Sequence, residues 1–384
     1  MPEWTFVEYQ HLASKDRSAF SMGPFGSKIT KENYVPSGVP VVRGVNLARG
    51  IFIDDEFVFI TDEKADDILS ANLRPGDLIF THRGTIGQVS MLPRRPRFER
   101  YVIGSSQVKT RLDESRALPE FYYYWFQSSE GQRSILANSS TVGVPGIATP
   151  LTSIRKLIVP LPSLEEQRAI ADVLGALDEK IAVNDRIITG IEALLRAQFM
   201  AASQTSSEVR RIGEIVTLKY GKALTANDRT PGDVPIYGGN GVSGSHNIAL
   251  VDGPGIVIGR KGANAGSISW SQCDFWPIDT AFYVVPKTED LPLEFLFFLL
   301  ERVDFRGVVG DSAIPGLNRE IAMSLEVAVP EARSAHRFTE LATPMVQLRE
   351  QVARESRQLA QLRDALLQKL MSGEIKIQDA EVLA

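Results

Sequence analysis

Two stretches of this chain carry apolar residues at helical spacing. Ile170, Leu174, Leu177, Ile181, Asn184, Ile188, Ile191 and Leu195 step by four and three alternately, the a/d seam of a coiled coil. Leu341, Met345, Leu348, Val352, Glu355, Leu359, Leu362 and Leu366 repeat the same steps 171 residues later. The fifth position is polar in both, Asn184 in one and Glu355 in the other, so this pair is expected to meet and fix the register. A bland amphipathic helix explains an apolar stripe but not a polar interruption at the same step. At 1.5 Å per residue each seam predicts a spacer helix of ~40 Å. Ser163 with Glu166 suits a capping box at the first helix start, and Pro344 predicts that the second helix kinks or begins near it.

Elsewhere the pattern changes. Short β-branched and aromatic runs such as Val39-Pro40-Val41-Val42 and Leu78-Ile79-Phe80 are broken every few residues by Gly, Pro, Asn or Asp, which reads as short strands and turns. These β-rich regions are duplicated. Val144-Pro145-Gly146-Ile147 recurs as Ile314-Pro315-Gly316-Leu317, Leu157-Ile158-Val159-Pro160 as Val327-Ala328-Val329-Pro330, and Gly76-Asp77-Leu78-Ile79-Phe80-Thr81-His82-Arg83-Gly84 resembles Gly253 to Gly262. Tyr122 to Phe126 corresponds to Leu296 to Leu300, which makes it buried helix or strand rather than a base-stacking surface. The expected fold class is α+β: two similar mixed α/β, β-rich domains separated by two long coiled-coil helices. The boundaries read as domain 1 over 1–159, helix 1 over 160–202, domain 2 over 203–330, and helix 2 with a C-terminal tail over 331–384.

Composition narrows the function classes. The 384 residues are 43% hydrophobic and 23% charged, ordinary globular values. The longest mostly apolar stretch, Leu291 to Leu300, is too short to span a bilayer, and the amino terminus reads as no secretory signal, so an intracellular, cytoplasmic chain is expected with no membrane contact. One cysteine excludes an internal disulfide framework, and four scattered histidines form no metal spacing. The net charge is −5, yet residues 1–159 hold 19 basic against 17 acidic residues, with Arg94, Arg95, Arg97 and Arg100 clustered. Local positive patches are therefore expected, and charge alone leaves a nucleic-acid partner undecided.

No GxSxG elbow, HExxH, Walker A or strand-placed GxGxxG occurs, nor the Asn/Asp-Pro-Pro-Tyr tetrad of amino-methyltransferases. Gly259 to Gly266 reads as a tight loop between strands rather than a phosphate-binding loop. Asp54 to Lys64 faintly suggests a metal-dependent nuclease, but Thr61-Asp62-Glu63 reads more simply as a helix cap with acids in its first turn.

Val159-Pro160-Leu161-Pro162-Ser163-Leu164-Glu165-Glu166-Gln167-Arg168-Ala169-Ile170, running into Leu177 to Ile181, resembles the conserved region of specificity (S) subunits of type I restriction-modification systems. Gly76 to Phe80 with Arg83 to Gly87, and Pro235 to Val242 with Gly244, are similar to patterns in that family's target-recognition domains. In the second copy the Glu-Glu-Gln signature is reduced to Ala335-His336-Arg337. The resemblance implies a non-catalytic DNA reader without cofactor. Each recognition domain would contact one half of a split, asymmetric site in double-stranded DNA, and the two long helices would pair antiparallel to set the spacing. Two methyltransferase (modification) subunits would dock on the helices, and restriction subunits would join them.

Base readout needs Arg, Lys, Asn, Gln, Ser or Thr delivered to base edges by loops. In the first domain the candidates are Arg83, Thr85, Gln88, Ser105, Ser106 and Gln107, with Arg43 and Asn46 behind them. In the second they are Arg260, Lys261, Asn264, Tyr237 and Asn240. Two competing readings stand beside this one: a tandem β-rich module binding proteins or glycans, and a stand-alone nuclease on the Asp54 to Lys64 region.

Overall fold

A computed structural model describes residues 4–24, 28–137, 139–140, 144–204, 207–310 and 315–375, with backbone alone at 48–50, 140 and 207. Ile314 of the repeated motif and residues 376–384 of the expected tail lie outside these. The chain divides into two compact units, Met1–Ile181 with Gln358–Ala384, and Ala182–Arg357. Each unit thus holds one β-rich region together with part of both long helices.

In the first unit an antiparallel sheet runs in the order Phe20–Met22, Gln107–Thr110, Leu78–Thr81, Val89–Met91. A second sheet runs Val58–Ile60, Val39–Val42, Tyr101–Ile103, Asn72–Leu73, with its two middle strands parallel. Val39, Val41 and Val42 are all buried, as expected of a short β-branched run covered on both faces. Thr5–Glu8 pairs with Ile158–Leu161.

The second unit has the same plan. Its antiparallel sheet runs Val216–Tyr220, Ala281–Pro286, Gly255–Gly259, Ile268–Ser271. A three-stranded sheet again contains a parallel pair, Val234–Gly238 with Trp276–Pro277. Ser207–Arg211 pairs with Glu326–Pro330.

Helix Pro119–Gln127 buries Phe121, Tyr122, Tyr124, Trp125 and Phe126. Phe126 meets Tyr9 and Phe80 edge-on at ring-centroid distances of 5.2 and 4.8 Å, a geometry aromatic pairs favour. Its counterpart, helix Leu293–Glu301, buries Phe295 to Leu300. The long helices span Leu164–Ser203 and Ala332–Ser372. Their pairing within the second unit is antiparallel: Asn184 meets Glu355 and Glu192 meets Arg349, so the numbering rises on one helix as it falls on the other. In the first unit Ile170, Leu174 and Leu177 share a core with Leu366 and Leu370.

Several expectations need correction. The second helix neither begins at Pro344 nor stops there; it starts at Ala332 and continues through the proline. Its seam is displaced in the first half, where Leu341 and Leu348 are 50% and 47% exposed. Phe338, Ala342 and Val346 are buried instead, because Phe338 packs against Phe199, Phe295 and Phe298 of the same unit. That aromatic cluster turns the helix face by about one position relative to the strict heptad. Three of the four clustered arginines are paired with carboxylates, and Arg95 is exposed. Arg94 pairs with Glu114 and Glu120, Arg97 with Asp55, and Arg100 with Asp62 and Asp66.

The capping bond at the first helix is present, Glu166 N–H donating to Ser163 Oγ at 3.2 Å, but the Glu166 carboxylate accepts from Trp4 Nε1 rather than closing a box. Gln167 explains the third letter of the Glu-Glu-Gln signature. It is fully buried, its Oε1 accepts from Leu118 N–H, and its Nε2 donates to the Arg116 and Pro162 carbonyls. At the helix displacement of 171 the residue matching Gln167 is Phe338, one place beyond Ala335-His336-Arg337, and it packs on Phe199, Phe295 and Phe298.

Candidate nucleic-acid interface

The loop after Leu78–Thr81 and the loop after Gly255–Gly259 carry the same backbone scaffold. His82 N–H donates to the Ser106 carbonyl at 2.9 Å, and Arg260 N–H to the Thr280 carbonyl at 2.8 Å. Gly84 N–H donates to Pro145 O and Gly262 N–H to Pro315 O, both at 2.9 Å. In return Ile147 N–H reaches His82 O at 2.9 Å, and Leu317 N–H reaches Arg260 O at 2.8 Å. Gly84 and Gly262 sit at φ of +88° and +102°, where a side chain would strain the backbone. Each loop is thus held on one side by a strand turn and on the other by the repeated Pro-Gly segment. This aligns His82 with Arg260, Arg83 with Lys261, and Gly84 with Gly262.

Side chains alternate along these loops as along a strand. His82 is buried, with Nε2 3.2 Å from the Ser105 carbonyl. Burial holds its imidazole below the usual histidine range, so it is neutral at neutral pH and adds no charge to the loop. Arg260 is half-buried and held along the surface: it donates to the Asp279 carbonyl at 2.8 Å and lies 4.9 Å over the exposed Tyr220 ring. Arg83 and Lys261 face the other way. Both are exposed, and neither has an ion pair or side-chain hydrogen bond among the described residues.

The remaining candidates divide by burial. Thr85, Ser105, Asn240 and Asn264 are exposed, and Ser106 and Arg43 are half-buried. Arg43 donates to the Glu56 carbonyl at 3.1 Å and lines, with Tyr34, Ser105 and Ser106, a cleft of about 180 Å³. Gln88 is half-buried and accepts from Thr81 Oγ1 at 3.1 Å.

Three candidates are interior and do not present their polar atoms to a ligand. Asn46 is fully buried; its Oδ1 accepts from Arg43 N–H at 2.9 Å and its Nδ2 donates to the Asp55 carbonyl at 2.7 Å, closing a loop. Gln107, 1% exposed, bridges Val42 O and Gly44 N–H at 3.3 and 3.2 Å when its amide is turned so that the nitrogen faces Val42 O. Tyr237, 6% exposed, donates to the Trp270 carbonyl at 3.1 Å, and burial raises its phenol above the usual range. Buried polar groups are ordinarily satisfied internally, and these three are.

Sequence reading missed Asp279 and Thr280, the counterparts of Ser105 and Ser106. The displacement there is 174 rather than 170 or 178, so no aligned motif pointed to them. It also gave no role to Pro145 to Ile147 and Pro315 to Leu317, although their recurrence was the available signal. No catalytic constellation is assembled among the described residues. Thr61 caps helix Asp62–Asp66 by accepting from Lys64 N–H, and among the described residues no group of three His, Cys, Asp or Glu is arranged to hold a metal. No described helix is long and apolar enough to cross a membrane.

Comparison with known proteins gives this arrangement a setting. The profile of the type I restriction modification DNA specificity domain matches residues 25–193 and again 205–338. The chain is 26% identical over 161 residues to the putative type I restriction enzyme MjaX specificity subunit of Methanocaldococcus jannaschii, a match covering 41% of this chain and 37% of that one. It is 24% identical over 230 residues to the type I restriction enzyme EcoprrI specificity subunit of Escherichia coli, covering 54% and 56% of the two. In fold it resembles the crystal structure of a type I restriction-modification S subunit from M. genitalium, with a TM-score of 0.69 at 19% identity over 96% of each chain.

Proposed function

We propose, because the chain belongs to the type I restriction-modification DNA specificity family, that it is the DNA-reading subunit of such a system. Each β-rich region recognises one half of a split, asymmetric site in duplex DNA. The chain itself is not an enzyme and takes no cofactor. Methyl transfer belongs to two modification subunits that dock on the long helices, and cleavage to restriction subunits that join them. The setting is the cytoplasm, where such DNA is found.

The observation that carries this reading is the duplicated loop scaffold, which offers exposed polar side chains at the same place in both units. A reader of a two-part site requires two such surfaces, whereas neither a nuclease nor a glycan binder does. The docking role is supported by apolar side chains that their own unit leaves uncovered. Ile187 and Leu194 on the first helix are 39% and 48% exposed, and Leu341 and Leu348 on the second are 50% and 47% exposed, each pair seven residues apart on one helix face. The near-balanced charge fits a reader whose modification partners supply part of the phosphate contact.

The test is selection from random duplex DNA by the chain assembled with its modification subunits, followed by sequencing of the retained fraction. Two short motifs at a fixed separation are expected. A contiguous consensus, or none, overturns the reading.

A further inference from the structure

The loop scaffold distinguishes two kinds of exposed side chain, and the difference bears on what each does to DNA. Arg83 and Lys261 lie between two backbone groups that are hydrogen-bonded in the same way in both units, and each forms a single antiparallel β-bridge, Arg83 with Gly146 and Lys261 with Gly316. Their main chain is therefore pinned, and their side chains leave the protein at corresponding points. After the glycine the copies diverge: Thr85-Ile86-Gly87-Gln88 follows in one and Ala263-Asn264-Ala265-Gly266 in the other.

Arginine and lysine share charge and reach but not geometry. Arginine presents a planar fork suited to a guanine edge, whereas lysine is a compact point charge. Two units that read different bases need different side chains at base-reading positions. What they need in common is a grip on the backbone, because phosphate contacts set register without carrying sequence. Conserved placement with only charge in common matches the second requirement.

We propose that Arg83 and Lys261 are equivalent phosphate anchors, one in each unit, which bind the phosphodiester backbone of duplex DNA and leave base reading to the residues after Gly84 and Gly262. This rests on the DNA-reading role above. Pinning the main chain before binding reduces the ordering that contact would otherwise require, so the scaffold positions the cation rather than merely stabilising a loop.

The experiment compares Arg83→Gln and Lys261→Gln with the parent chain, each assembled with modification subunits, on duplex carrying the selected site and on random duplex across a salt series. Both side chains are exposed, so folding is left intact, and thermal unfolding serves as the control. Each substitution is expected to weaken binding roughly three- to tenfold at low salt on both duplexes, and to reduce the slope of log affinity against log salt by ~0.9. The selected half-sites keep their bases, the double variant loses twice the slope, and Arg83→Lys and Lys261→Arg retain it. An unchanged slope, or a consensus that loses bases in the half-site of the altered unit, overturns the anchor. A parent complex that selects no split site fails the DNA-reading role instead, and the slope on random duplex still decides whether these two cations touch phosphate.

Discussion

Asn184 Nδ2 donates to Glu355 Oε2 across 2.9 Å, joining the one polar position of each seam, and Asn184 is fully buried. Its Oδ1 has no partner among the described residues. A polar pair of this kind in a helix seam, with Asn184 buried and Glu355 half-buried, lowers stability while favouring one register over its neighbours. Replacing both residues with leucine is therefore expected to hold or raise the melting temperature, by the equivalent of about 1–4 kcal/mol. The same variant should populate shifted registers, which cysteine crosslinking between the helices reports. A clear loss of stability in the double variant would remove the register role.

Asp77 makes a different use of burial. It is 1% exposed, and its carboxylate accepts from Arg111 Nε and Nη2 at 2.8 and 2.7 Å while also accepting from Arg74 N–H at 2.8 Å. Asp16 completes the cluster at 2.7 Å from Arg111. Asp77→Ala leaves Arg111 with an incomplete set of partners in a low-dielectric site and is expected to cost about 3–5 kcal/mol in chemical denaturation. On the alignment that sets His82 against Arg260, the position matching Asp77 is Gly255, so the second unit dispenses with this pair.

Lys109 gives a pH-dependent prediction. Burial pushes its amine down to about 8 from the ordinary 10.5, and its Nζ donates to the Asn72 carbonyl. The unfolded chain therefore binds this proton more tightly than the folded one. Stability contributed by the neutral amine is lost as pH falls from about 10.5 to 8, by on the order of 3 kcal/mol. Lys109→Met lacks this dependence, so the stability difference between parent and variant should change by that amount across the window. Parallel curves would show the amine to be better solvated than its burial implies.

Asn240 and Asn264 are exposed side chains beside the second scaffold. Replacing both with alanine is expected to relax bases in one half-site only, at ~1–3 kcal/mol for each lost base contact, with the other half-site unchanged. Site selection with the assembled variant measures this directly. Equal loss in both half-sites would disconnect the second loop from a single half-site.

Leu341 and Leu348 offer a test of docking. Glutamate at both positions should leave the unfolding temperature within a degree or two, because neither side chain is in the core, yet reduce co-purification of modification subunits at least tenfold. Unaltered co-purification would place the docking surface elsewhere.

Periodicity made much of the fold legible. Heptad steps located both long helices, and the duplication exposed two β-rich units with matching strand order. Sequence spacing could not distinguish Leu341 from Ala342 or Leu348 from Arg349, because the choice of face was made by Phe199, Phe295 and Phe298, which lie far away in the chain. The arginine cluster looked cationic for the same reason: Glu114, Glu120 and Asp55, which neutralise it, are remote in sequence. At the candidate interface the loops were legible and the side chains were not. Asn46, Gln107 and Tyr237 have the chemistry of a base reader, and only their internal hydrogen bonds reveal that they hold the loops in place.

The scaffold around Gly84 and Gly262 is made almost entirely by main-chain atoms. Hydrogen bonds from backbone to backbone place little demand on the residues that follow. If the residues after each glycine read bases, as proposed, drift in those sequences can rewrite what a half-site must contain while the support beneath stays fixed. On that reading, new target preferences become accessible by single substitutions in a chain that still folds, and one unit can change its preference without obliging the other to follow.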